Sequence, residues 1–125
     1  MTTKLIVGWM DHSQAKLYWL DGESVTRREH ILSGAHGKRE ENALKPEDVA
    51  DKERMTAYRF FFDQVIKIVG HGDESLYLLG HDQALRQFRN HCEKNAAHLV
   101  PRLFETPADK LTEPQILAHG RKQMK

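Results

Sequence analysis

The chain has 125 residues, 39% hydrophobic and 30% charged, with 19 Lys and Arg against 18 Asp and Glu for a net charge of +1. That length suits one domain, whose folding hides about two-thirds of the surface that the unfolded chain exposes, enough for a core without disulfide or metal staples. The near-zero charge excludes a polycation that binds nucleic acid by bulk attraction, and the single cysteine, Cys92, excludes an internal disulfide and a multi-thiolate metal centre. A reducing, cytoplasmic setting fits this cysteine usage.

Leu5 to Met10 is an apolar run too short for a signal-peptide core, and no stretch of the chain has 18 consecutive apolar residues, so neither secretion nor membrane insertion is expected. The run reads instead as a central strand buried on both faces. Asp11-His12-Ser13-Gln14 supplies turn formers, Ala15 to Leu20 is a second strand, and Asp21-Gly22 marks a tight hairpin. Ser24 to Ile31 is β-permissive but polar, which suits an edge strand with one wet face. A charge-dense, apolar-poor segment follows from Gly34 to Asp51, and the long charged loop is placed at about 32–51.

Met55, Tyr58, Phe61, Phe62, Val65, Ile68 and Val69 recur at helical spacing up to the Gly70-His71-Gly72 stop. Two starts are open: Pro46 with Glu47 and Asp48 suits a first turn near 46, and Asp51 suits a cap for a helix from 52. Ser75 to Leu79 is a short strand, Gly80-His81-Asp82 a turn with Asp82 as N-cap, and Leu85, Phe88 and Cys92 one face of a second helix. Leu99 to Glu105 reads as the last strand, with Pro101 confining it to a sheet edge. Thr112-Glu113-Pro114-Gln115 is a capping box, stapled by Leu111 and Ile116, that opens a C-terminal helix. The expected architecture is a single-domain α/β fold with a five-stranded mixed sheet ordered 3-2-1-4-5 and three helices, which puts both polar or Pro-bearing strands at edges.

Val7-Gly8-Trp9-Met10-Asp11-His12 with its hairpin, Leu78-Leu79-Gly80 leading into a helix, and Phe104 to Thr112 entering the last helix carry a resemblance. In this order the chain resembles the ribonuclease H-like central domain of archaeal and eukaryotic class-1 peptide release factors and of Pelota. It is also similar to the small bacterial relatives called translational machinery proteins. The likeness spans nearly the whole chain. In release factors the loop after the third strand carries Gly-Gly-Gln, which promotes hydrolysis of peptidyl-tRNA on the ribosome. The matching segment here, Ser33-Gly34-Ala35-His36-Gly37-Lys38-Arg39-Glu40-Glu41-Asn42-Ala43-Leu44, has neither Gly-Gly nor glutamine. The resemblance therefore implies a ribosome- or RNA-associated role in translation, of the rescue, stalling or stress kind, without termination chemistry. Pelota-like proteins also lack the tripeptide and act in ribosome rescue, although this chain has no room for their flanking domains.

The residues supply a matching candidate surface. Gly34 and Gly37 permit close backbone approach, His36, Lys38, Arg39 and Lys45 suit phosphates, and Arg27 and Arg28 extend the patch onto the neighbouring edge strand. Glu40, Glu41, Glu47 and Asp48 oppose it, and a merely solvated loop is the plain alternative. The same fold also admits a metal-dependent nuclease, in which Asp11, Asp82 and Glu53 would hold two divalent ions. Each has a structural alternative: turn residue, N-cap and exposed first-turn acid. His91, Cys92 and His98 lack the repeated spacing of a zinc site. Phe61, Phe62 and Phe88 sit at core spacing rather than as base-stacking platforms. The reading is a non-enzymatic factor with no cofactor and no membrane, partnered by the ribosome or structured RNA. A protein-interaction module or homo-oligomer using an exposed sheet edge is the second reading, and the nuclease the third.

Overall fold

The computed structural model describes residues 4–33 and 47–124, with side chains in the first helix from residue 58 onward. Strands β1 (Lys4–Met10), β2 (Gln14–Asp21) and β3 (Ser24–Leu32) form an antiparallel meander, followed by helix α1 (Glu47–Val69). Strand β4 (Ser75–Gly80), helix α2 (Asp82–Asn95), a 3-10 helix (Ala97–Arg102), strand β5 (Leu103–Pro107) and helix α3 (Glu113–Lys122) complete the chain. The sheet order is β3-β2-β1-β4-β5, with β1, β4 and β5 mutually parallel through helical crossovers. Central position and apolar sequence coincide in β1, where every residue from Leu5 to Met10 is buried.

Alternation along β1 divides that burial between two cores. Ile6 and Met10 join Leu17, Leu76, Leu78 and Leu103 beneath α1 and α2, which contribute Phe61, Phe62, Phe88 and Cys92. Leu5, Val7 and Trp9 face the other way and pack with Tyr18, Leu20, Leu79, Ile116 and Leu117 against α3. Helix α3 sits close on the sheet because Gly120 carries no side chain; a Cβ there would meet Val7 Cγ1 and Leu20 Cδ1 at 2.8 Å. The indole N–H of Trp9 donates to the Asp109 carbonyl at 3.0 Å and ties down the segment leading into α3.

The capping box forms: Thr112 N–H donates to Gln115 Oε1 at 2.9 Å, and Gln115 N–H donates to Thr112 Oγ1 at 3.4 Å. Leu111 and Ile116 both pack into the α3-side core. Helix α1 begins at Glu47, the earlier of the two starts.

Two local expectations are corrected. Asp82 is not the N-cap of α2; that position is His81, in extended conformation and without a side-chain cap bond, while Asp82 is already helical and pairs with Arg86 one turn on at 3.0 Å. Gly80, at φ +146 and with no room for a Cβ against the Met10 carbonyl, ends β4, and the helix starts at Asp82 itself, one residue earlier than expected. The segment from Leu99 is not strand until Leu103: residues Ala97–Arg102, Pro101 included, wind into the 3-10 helix. Pro101 therefore does not place the last strand at the edge; the crossover from β4 through α2 does. Arg102 fixes this turn by donating from Nε to the Glu74 carbonyl at 2.7 Å and from Nη2 to the Val69 carbonyl at 3.0 Å.

Candidate nucleic-acid interface

Strand β3 pairs with β2 and forms one edge of the sheet. Its arginines are consecutive, so they leave opposite faces. Arg27 lies over the Trp19 ring, 4.5 Å from its centroid, and pairs with Glu29 at 3.0 Å. Arg28 turns toward α3 and meets the Glu113 carboxylate at 3.0 Å through Nη2 and 3.2 Å through Nε. Both guanidiniums remain half-exposed, which leaves donor groups for a phosphate, but each is already shared with an acid that the sequence did not assign to it. Gly34, His36, Gly37, Lys38, Arg39 and Lys45, the rest of the expected patch, lie outside the described residues.

The carboxylates that would serve a nuclease have local partners. Asp11 Oδ1 accepts from Ser13 N–H and Ser13 Oγ–H at 2.7 Å and from Gln14 N–H at 2.9 Å, building the turn between β1 and β2. Partial burial pushes the Asp11 carboxyl up, but these bonds and the Lys110 charge together outweigh it and hold the group below its ordinary range. Asp82 is engaged with Arg86, and the Glu53 side chain lies outside the described residues. Among the described residues no three His, Cys, Asp or Glu side chains are placed to share a metal ion.

His91 and Cys92 diverge, as neighbours on a helix do. Cys92 is buried in the core, where desolvation and then the Glu105 charge push its thiol up to about 12. His91 Nε2 lies 2.6 Å from Asp63 Oδ1 and so joins α2 to α1.

Sequence reasoning missed a polar cluster at the ends of the parallel strands. His12 Nε2 is 2.7 Å from Gln87 Oε1, and the His12 ring lies 4.8 Å from Tyr58 and 5.7 Å from His81. Tyr58 and Gln87 continue into an open groove of about 560 Å³ between α1 and α2, whose lining includes Arg59, Asn90 and Lys94. These residues come from two helices and from the turns after β1 and β4 and obey no single period; Asp11-His12 and Gly80-His81 at strand ends were their local signals.

No protein-family model matches the sequence, and no curated protein matches it. Solved structures do match in fold, the following two among them. The Pelota protein of Thermoplasma acidophilum superposes with a TM-score of 0.58 at 18% identity over 90% of this chain. The archaeal translation termination factor aRF1 superposes with a TM-score of 0.58 at 10% identity over 97% of it. The fold is shared with part of each. This chain spans 30% of the Pelota chain and 35% of the aRF1 chain, so the likeness concerns about a third of either protein. Among the described residues no helix is long and apolar enough to cross a membrane.

Proposed function

We propose that the chain is a ribosome- or RNA-associated factor of translation that works in the cytoplasm without cofactor or membrane and does not hydrolyse peptidyl-tRNA. The observation that carries this reading is the fold shared, over nine-tenths of the chain, with both Pelota and a translation termination factor. The segment after β3 supports the non-hydrolytic part: it lacks Gly-Gly and glutamine, and with them the group that would organise water beside an ester. Its Gly34, His36, Gly37, Lys38, Arg39 and Lys45, with Arg27 and Arg28 on β3, form the proposed contact with phosphates. Lysine and arginine contacts of this kind supply affinity and position without reading sequence.

The test is affinity capture from the native cytosol with and without ribonuclease. Ribosomal RNA and proteins are expected to copurify and to be lost after digestion. Capture of a ribonuclease-resistant protein partner alone would overturn the reading. That outcome would favour a protein-interaction module or homo-oligomer built on the edge of β3. One observation supports the alternative: at the end of this edge strand Leu32 is 68% exposed.

A further inference from the structure

The opposite edge of the sheet carries a feature that the phosphate surface on β3 does not explain. Tyr77 on β4 and Phe104 on β5 are register partners, and their rings stack with centroids 4.8 Å apart and planes 15° from parallel. Strand β5 is the last in the sheet, and with Tyr77 stacked against its ring Phe104 as a residue remains 46% exposed. A phenylalanine so placed on an edge strand costs solubility and gains only half its burial. Beside it is an opening of about 380 Å³, lined also by Thr106 on β5 and by His119 and Gln123 near the end of α3. The last turn of α3 also carries Lys122, whereas Arg121 turns away and donates to the Glu23 carbonyl at 2.9 Å. The strand beneath is fixed from its other face: Arg89 pairs with Glu105 at 2.6 Å and donates to the Leu103 carbonyl at 3.2 Å, so the platform is pre-positioned.

We propose that this edge binds single-stranded nucleic acid by stacking an unpaired base on the outer side of Phe104. His119 and Gln123 offer hydrogen bonds to the edge of that base, and Lys122 offers charge to the adjoining phosphate. A flat π-faced ligand extends the existing stack, whereas a protein partner needs about 800 Å² on each side, far more than one ring on a five-residue strand provides. Lys122, one turn of α3 on from His119, complements a phosphate backbone rather than an apolar peptide. This inference rests on the reading that the chain associates with RNA, and it adds a second contact on the edge remote from β3.

The experiment uses Phe104→Trp as a reporter and Phe104→Leu and Phe104→Ala as losses, with a single-stranded 12-mer RNA as the probe. Base stacking quenches Phe104→Trp beyond any change in the wild type, whose Trp9 and Trp19 supply the background, and a matching duplex does not. Phe104→Leu, which keeps apolar bulk, binds the 12-mer at least about fivefold more weakly than wild type, as does Phe104→Ala. No quenching, or Phe104→Leu binding like wild type, overturns the proposal. Self-association that Phe104→Leu abolishes, without quenching by RNA, overturns it in favour of a second copy. Ribosome cosedimentation measured in parallel separates the two readings. Cosedimentation without quenching defeats the stacking site alone; quenching without cosedimentation defeats the ribosome association alone.

Discussion

Arg28 on β3 and Glu113 at the start of α3, 85 residues apart in sequence, meet in an ion pair of 3.0 Å at the surface. The pair places a carboxylate in competition with any phosphate that Arg28 would bind. Both partners are well exposed, so the bridge contributes little to folding and is easily exchanged for another anion.

Glu113→Gln is therefore expected to strengthen binding of ribosomes or RNA and to steepen the slope of log affinity against log salt by up to about 0.7 to 0.9, one phosphate contact. Arg28→Ala acts in the opposite direction. The melting temperature changes little in either variant. Salt titrations of the three proteins check this, and identical slopes would remove Arg28 from the interface.

The corrected start of α2 predicts unequal losses at two helix ends. Thr112 donates and accepts within its capping box, so Thr112→Ala costs about 1 kcal/mol, or about 4 °C in melting temperature for a domain of this size. Asp82 caps nothing and shares an exposed pair with Arg86, so Asp82→Ala costs less than about 0.5 kcal/mol. Thermal melts of both variants decide it.

Asp11 makes stability depend on acid. Its folded carboxyl lies below the ordinary value of 3.8, so the native state holds that proton less tightly than the unfolded chain does. The contribution is complete above about pH 5 and is lost as pH falls through the lowered folded value. Asp11→Ala loses the bonds from Ser13 and Gln14, at a cost of about 1 to 2 kcal/mol near neutrality. The gap in melting temperature between wild type and variant narrows below about pH 4. Magnesium-dependent cleavage of RNA that Asp11→Asn abolishes would contradict this structural role.

Cys92 is expected to be inert. Its thiol is buried and raised to about 12, so at pH 8 almost none is thiolate. Iodoacetamide should leave the native protein unlabelled and modify one site in guanidinium.

The readable parts of the fold were those written in contiguous residues. The apolar run of β1 and Thr112 to Gln115 each carry their signal within a few positions, and the order of the sheet follows from which strands are polar. The hairpin lies one residue later than Asp21-Gly22, because Asp21 still pairs with Ser24 and the loop is Gly22-Glu23. The last strand was misplaced because Leu99-Val100-Pro101-Arg102-Leu103 is a short apolar run without a distinguishing period, and the pull of Arg102 on the carbonyls of Val69 and Glu74 is tertiary. At the candidate site, the basic pair Arg27 and Arg28 was legible as a pair. Its division between two faces follows from strand alternation, but its neutralisation by Glu29 and Glu113 does not. The groove residues Tyr58 and Gln87 and the open stack of Phe104 on Tyr77 exist only once separate elements are packed.

Sedimentation of the purified protein with ribosomes across a salt titration tests the proposed function most directly, with wild type compared against Lys38→Ala, Arg39→Ala and Lys45→Ala combined. Wild type is expected to cosediment with an affinity that falls steeply with salt, and the triple variant to bind more weakly with a flatter slope and an unchanged melting temperature. A wild type that stays in the supernatant at low salt would contradict ribosome association, and a triple variant that binds like wild type throughout would contradict Lys38, Arg39 and Lys45 as its contact.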